Sequence, residues 1–201
     1  MKMSVYKLKS KFQELLMPIC KKVNNMGITP NQITLFTMIF SIVFSLILDY
    51  FHNYTWLFLL VPIFFLKRMA LNALDGMIAT KFDKKTKLGI YFNEVGDIIS
   101  DTVFFYCFFK VIGIQEIMYL LFIFLSIMTE YVGVISVQVD QKRHYDGPMG
   151  KSDRAVLVSL ISLLYYGKVG EKYILIILII GLVLLVVTAY NRVKISLRSG
   201  K

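Results

Sequence analysis

Asn72, Asp75, Asn93, Glu94, Asp97 and Asp101 are the residues of this chain whose types and spacing could do chemistry. On an α-helix each residue turns about 100°, so Asn93, Asp97 and Asp101 step round by only ~40° each and share a face. Glu94 falls within the same arc. Asn72 and Asp75, at i and i+3, likewise share a face. Two such faces opposed across a short loop converge several oxygen ligands on one cavity. The four carboxylates, Asp75, Glu94, Asp97 and Asp101, cannot all stay ionised there without counter-charge. Divalent hard cations such as Mg²⁺ or Mn²⁺ take oxygen ligands and supply that charge. The competing reading is simple pairing with Lys67, Arg68 or loop lysines near a membrane interface, which explains no particular spacing. Gly76 and Ala79, small residues at i and i+3, admit either a ligand or a neighbouring helix.

Long apolar elements must carry these groups. The chain has 201 residues, 57% hydrophobic and 18% charged, and its mean hydropathy is +0.65. Soluble domains are roughly half apolar and about a quarter charged, so the balance points to a membrane. A spanning helix needs ~20 predominantly apolar residues. Six segments are expected to cross: Ile33–Tyr50, Thr55–Leu74, Gly89–Val111, Ile114–Val139, Ala155–Tyr166 and Tyr173–Val193. The fifth is the shortest and could begin near Lys151. Continuous rather than alternating runs argue against a β-barrel. The expected fold is therefore all-α, a polytopic bundle of six transmembrane helices. Residues 29–201 form this bundle, and residues 1–28 form an amphipathic helix lying on the membrane surface. In that helix Tyr6, Phe12, Leu15, Leu16 and Ile19 recur at helical spacing, with Lys7, Lys9 and Lys11 between them. Thr29 is expected to cap the next helix, with Pro30 at its first position.

The net charge of +10 does not indicate nucleic-acid binding, because the basic residues fall at segment ends rather than in one stripe with stacking aromatics. They read as topogenic charge and attraction to anionic lipid headgroups. The N-terminus, the loops after spans two and four and the C-terminus are lysine- and arginine-rich, whereas the opposite loops hold only Lys110, Lys168 and Lys172. An even number of spans then puts both termini and the polar cluster on the cytoplasmic side of the cell membrane. Cys20 and Cys107 suggest neither a disulfide framework nor a zinc site. No signal peptide is expected, since the basic N-terminal stretch lacks an apolar run with a cleavage site.

The run Asp75-Gly76-Met77-Ile78-Ala79, followed by Gly89, Asn93 and Asp97, resembles the signature of the CDP-alcohol phosphotransferases, D-x2-D-G-x2-A-R-x8-G-x3-D-x3-D, without a gap. The likeness extends to the Pro30, Asn31 and Thr34 entry to span one and to Gly150-Lys151 before span five. It is nearest to a bacterial branch with N-x2-D-G and G-x3-N-E-x2-D patterns. The resemblance implies a transferase of phospholipid biosynthesis. An alcohol acceptor attacks the lipid-side phosphorus of a CDP-linked lipid such as CDP-diacylglycerol, and CMP leaves. It also implies two metal ions, Mg²⁺ or Mn²⁺, and a homodimer. Carried over residue by residue, Asn72, Asp75, Asn93 and Asp97 occupy the four metal-binding positions, and Asp97 is the base that deprotonates the acceptor. Gly76, Ala79 and Gly89 would line the nucleotide pocket.

The chain departs from the signature at three places. Asn72 and Asn93 stand where the family has Asp, and Thr80 stands at its Arg position. Glu94 and Asp101 bring the local carboxylate count back to four, as metal ligands or behind them, and Lys81 or Lys84 replaces the arginine at a phosphate. Lys142, Arg143, Lys151 and Arg154 form either an acceptor-phosphate site or purely topogenic charge. Glu130, inside span four, is expected to face the bundle and pair with Arg68. His144 reads as a surface histidine. Two rival readings remain open. One is a catalytically silent relative that binds CDP-lipid or metal as a structural or regulatory protein. The other is a small carrier, which would show internal repetition and broken helices, and neither is visible.

Overall fold

The computed structural model describes the backbone of residues 2–199 and the side chains of residues 12–198. The side chains of Tyr6, Lys7, Lys9 and Lys11, part of the expected amphipathic pattern, lie outside the described residues. The described residues form seven α-helices and no strand: α1 Lys2–Asn25, α2 Pro30–Tyr50, α3 Leu60–Lys81, α4 Lys87–Val111, α5 Glu116–Asp140, α6 Lys151–Tyr166 and α7 Glu171–Ser199. A short 3₁₀ helix, Thr55–Leu59, precedes α3. The all-helical expectation holds. Four stretches are long and apolar enough to cross a membrane: Pro30–Tyr50, Thr55–Lys81, Glu116–Asp140 and Glu171–Arg198. The other two expected spans fall short for different reasons. α4 carries Lys87, Glu94, Asp97, Asp101 and Lys110, while α6 has only 16 residues, short of the ~20 that a bilayer asks.

The chain forms two compact units, Met1–Val43 with Leu66–Ser100, and Phe44–Phe65 with Asp101–Lys201. In the first unit, Leu16 and Cys20 of α1 pack with Ile33 of α2 and with Leu74, Met77 and Ile78 of α3. Leu15 and Ile19, one position round the α1 helix, are 73% and 50% exposed. The apolar stripe of α1 is thus shared, with Leu16 in the protein core and Leu15 and Ile19 left outward.

Local chemistry fixes the joint between α1 and α2. Gly27, at φ +77°, ends α1 in the left-handed conformation that glycine adopts without a Cβ penalty, and the Ile28 N–H donates to the Val23 carbonyl at 3.4 Å. Thr29 Oγ1 then accepts from the Gln32 N–H at 3.3 Å, and Gln32 Oε1 accepts from the Thr29 N–H at 2.9 Å. This is a reciprocal capping box with Pro30 in the first turn, as the sequence indicated. At the start of α4, Thr86 Oγ1 accepts from the Gly89 N–H at 2.9 Å.

In the second unit α5 packs on α7, and α6 packs on α7 and on the 3₁₀ helix, where Ser162 Oγ donates to the Phe58 carbonyl at 2.6 Å. Phe44, Phe64, Phe104 and Phe108 stack in series, with ring centroids 4.4 to 5.7 Å apart between successive rings. The loop between α5 and α6 is fastened to α7, with the Met149 N–H donating to Thr188 Oγ1 at 2.9 Å. Gly147 in that loop has φ +132°, and a Cβ there would lie 2.8 Å from Thr188 Cα. Both backbone strain and a backbone clash therefore oppose any side chain. Gly147→Ala is expected to cost about 2 kcal/mol or more, read as a fall in the unfolding midpoint of purified protein in detergent; an unchanged midpoint would show that the loop can move away from α7.

Candidate functional site

The C-terminal half of α3 and the N-terminal half of α4 meet in the first unit through polar side chains. Asn72 Nδ2 donates to Asp97 Oδ1 at 3.2 Å. Arg68, one turn before Asn72 on α3 and with a side chain 3% exposed, places Nη2 at 3.7 Å from the same oxygen and 3.4 Å from the Asp97 carbonyl. Asp75 is 5% exposed, and its Oδ2 accepts from Thr34 Oγ1 of α2 at 2.8 Å. Thr34 Oγ1 also lies 3.1 Å from the Pro30 carbonyl, so the hydroxyl is fixed against the opening turn of α2. Three helices thus set two carboxylates, and each carboxylate has a neutral side chain donating to it.

The asparagine at position 72 changes the electrostatics of this contact. An aspartate there would set two carboxylates against one another and require a cation or a proton between them. The amide instead donates through nitrogen and keeps a carbonyl oxygen as a possible ligand. Asn93 and Glu94, both partly buried, sit one turn before Asp97 on α4. Among the described residues no group of three His, Cys, Asp or Glu side chains is drawn together around one point. Any ion at this site would therefore draw on asparagine carbonyls as well as carboxylates.

The small residues divide by role. A Cβ on Gly76 would meet nothing within 4 Å, which leaves open space beside Asp75. A Cβ on Gly89 would fall 2.7 Å from Asn31 Oδ1 and 3.0 Å from Thr86 Oγ1. Gly89 is thus required by the close approach of α2 and the α4 cap. Ala79 is partly buried. Thr80 turns its hydroxyl back onto its own helix, 2.6 Å from the Gly76 carbonyl. Lys81 is exposed and Lys84 partly buried.

The family model for CDP-alcohol phosphatidyltransferase matches residues 27–188. The chain belongs to this family of transferases. The inner membrane protein YnbA of Escherichia coli is 39% identical over 158 residues, which are 79% of this chain and 78% of that protein. Two solved structures of Mycobacterium tuberculosis phosphatidylinositol phosphate synthase, PgsA1, share the fold at 17% identity. The complex with manganese and citrate has a TM-score of 0.72 and covers 89% of this chain and 87% of that one. The structure with CDP-DAG bound has a TM-score of 0.74 and covers 91% and 94%.

The remaining candidates of this family member lie in the second unit. Asp101 Oδ2 accepts from Arg154 Nη2 at 3.2 Å. Glu130 does face inward, but its ion pairs are to Arg143, Arg154 and Arg192 rather than to Arg68. Arg192 had been counted only as terminal basic charge. Its place near the end of an otherwise apolar segment was the available signal, because an arginine there must find a buried partner or snorkel. Gly133 makes room for it, since a Cβ there would lie 3.1 Å from Arg192 Nη1 and 2.8 Å from the His144 carbonyl. Lys142 is exposed and Lys151, in the first turn of α6, is partly buried.

His144 is not surface decoration. It is only 9% exposed, with Nε2 at 2.6 Å from Asp140 Oδ2 and Nδ1 at 3.3 Å from Asp146 Oδ2. Its N–H also donates to Ser136 Oγ at 3.1 Å. Asp140 foremost, and then Asp146, hold the imidazole above its ordinary value of 6.5 against the opposing effect of burial. A raised folded value means that the protonated ring stabilises the loop fully at pH below ~6.5, and that this stabilisation is lost as pH rises through the higher folded value. The unfolding midpoint is accordingly expected to fall on going from pH 6 towards pH 8, and His144→Gln to flatten that slope. An identical slope in the variant would place the titration elsewhere.

Proposed function

We propose that this protein transfers a phosphatidyl-type group from a CDP-linked lipid, such as CDP-diacylglycerol, to an alcohol acceptor with release of CMP. The observation that carries the reading is the contact of Asn72 with Asp97, with Asp75 held beside it by Thr34. These are the signature positions, and residues 25 apart in sequence meet across two helices. Family membership and the CDP-DAG and manganese bound by PgsA1 support it. The homologue from an inner membrane supports a multi-pass protein there. That the chain has six spans, with residues 1–28 on the surface and both termini and the site cytoplasmic, is part of the same proposal and rests on the distribution of basic residues.

The side chains fit a hard divalent ion by donor type, since Asn72, Asp75, Asn93, Glu94 and Asp97 offer only oxygens as ligands. When bound, Mg²⁺ or Mn²⁺ would neutralise the pyrophosphate and the charge developing on departing CMP. Asp97 accepts the proton of the acceptor hydroxyl as that oxygen bonds to the lipid-side phosphorus, and the bond from phosphorus to the CMP oxygen breaks. Asn72 orients Asp97 through its amide hydrogen bond, and Arg68 supplies counter-charge from the buried side. Thr34 holds Asp75 in one rotamer, so the carboxylate is preorganised rather than recruited. The open space at Gly76 admits the nucleotide to the face that Asp75 occupies, and Lys81 and Lys84 stand in for the family arginine at a phosphate. Asp101, whose Oδ2 is engaged by Arg154, would act behind the ion ligands.

The asparagines at 72 and 93 favour one alternative, a silent relative that binds CDP-lipid without turning it over. CMP release from CDP-diacylglycerol with Mg²⁺ or Mn²⁺ and a panel of acceptors decides between them. Transfer is expected, to be lost on chelation and restored by added metal. Asp97→Asn should reduce it by at least 10²-fold with membrane insertion intact, and Thr34→Val by roughly tenfold through loss of the Asp75 clamp. Full activity in Asp97→Asn would remove that residue from the chemistry, and binding of CDP-lipid without CMP release would establish the silent reading.

A further inference from the structure

The strongest concentration of buried charge outside the α3–α4 site surrounds Glu130 of α5, within the second unit. Arg143 Nη2 donates to Glu130 Oε2 at 3.1 Å. Arg154 Nη1 and Nη2 both donate to Glu130 Oε1 at 3.1 Å, and Arg192 Nη1 lies 3.6 Å from Oε2. The side chains of Arg154 and Arg192 are 1% exposed and that of Glu130 is 13% exposed. Arg154 also reaches Asp101 and Thr129 Oγ1, and Arg192 donates to the Thr129 carbonyl. Arg143, the most exposed of the three arginines at 21%, places its Cζ over Tyr145, 4.9 Å from the ring centroid.

The donors outnumber what they serve. Three guanidinium groups converge on the one Glu130 carboxylate, and Nε of both Arg154 and Arg192 is buried with no hydrogen-bond partner. A cluster built only to hold helices together has no use for unsatisfied N–H groups, which are costly away from water. Guanidinium forks converging from three directions suit a tetrahedral phosphate, which presents several peripheral oxygens, better than a carboxylate, which presents two. Yet the anion at their focus is a side chain of the protein itself. Two of the four basic residues that the sequence offered for an acceptor phosphate, Arg143 and Arg154, are thereby already taken.

We propose that Glu130 is a tethered anion filling an anion pocket made by Arg143, Arg154 and Arg192, so that the protein takes an alcohol acceptor bearing no phosphomonoester. The pocket stands on its own geometry, whereas the consequence for the acceptor rests on the transferase reading above. Removing the Glu130 charge should convert the cluster into a site for free phosphate.

The full-length protein, in neutral detergent without phospholipid, is melted in inorganic phosphate and in chloride at matched ionic strength. The wild-type midpoint is expected to be the same in both. Glu130→Gln should melt lower in chloride and rise by roughly 5–10 °C in phosphate at a hundredfold excess over its dissociation constant. The double variant Glu130→Gln/Arg143→Gln removes one positive and one negative charge together, so its net charge equals that of wild type. It carries the test if the single variant does not fold, with a smaller rise in phosphate. Equal stabilisation of wild type by phosphate, or folded variants indifferent to phosphate, overturns the pocket. For the acceptor, CMP release is compared between an alcohol and its phosphomonoester. Wild type should prefer the alcohol at least tenfold and Glu130→Gln should lose that preference, while an unchanged preference overturns the selectivity. No CMP release with any acceptor would defeat the transferase reading and leave the thermal comparison to decide the pocket.

Discussion

The contact between Asn72 and Asp97 is the interaction on which the first unit depends. It joins the last turns of α3 to the middle of α4, and it does so with a neutral donor facing a carboxylate. Had both positions carried aspartate, the metal-free protein would hold two like charges at hydrogen-bond distance, and the helices would need an ion or a proton to stay together. With asparagine the junction is formed before any ion arrives. Arg68 continues the same logic from below, a buried cation set against the carboxylate that the amide already orients. The result is a junction in which Asn72 and Arg68 both reach Asp97.

A charge on an apolar helix must find its partner inside the protein, and both units obey that constraint with different chemistry. In the first unit a hydroxyl and an amide donate to carboxylates, Thr34 to Asp75 and Asn72 to Asp97. In the second unit arginines meet carboxylates directly, and glycine makes the meeting possible. Gly133 admits Arg192 to Glu130, and Gly147 lets the loop after α5 lie on Thr188 of α7. That loop brings Arg143 and His144 back over α5, so the same backbone tether positions the cation and the titrating histidine.

The parts of this protein legible in its sequence are those fixed by short-range physics. The capping box at Thr29 and Gln32 and the helical turn at Gly27 follow from residues three or four apart, as does the shared face of Asn93 and Asp97. The pairing of the two motif halves could be read because thirty residues carry both, joined by one short loop. Partner choice among distant charges could not be read. Glu130 was expected to pair with Arg68, and it pairs with arginines 13, 24 and 62 residues away in sequence, contacts that depend on how four elements pack. His144 is a different case: Asp140 and Asp146 stand four residues before and two residues after it, so its partners were within local reach and the surface reading overlooked them. The periodicity of α1 did not separate its two apolar faces: Leu15 and Ile19 are exposed, whereas Leu16 belongs to the core with Cys20.

On the readings proposed above, two of the three departures from the signature, Asn72 and Asn93, and the gathering of arginines around Glu130 have a common physical sense. At positions 72 and 93 the chain has given up carboxylates where ions would bind, which weakens attraction for a divalent cation and so raises the importance of the donors that remain. Around Glu130 it has placed a carboxylate where an anion would bind, which weakens attraction for a phosphate. Each change lowers the charge contrast between protein and ligand, and each leaves the surrounding scaffold in place, with Asp75 clamped by Thr34 and Arg154 anchored by Asp101 and Thr129. In that proposal the site suits an acceptor of low charge, with its hydroxyl activated mainly by Asp97 and its immediate neighbours, rather than a phosphorylated one drawn in by a strong local field.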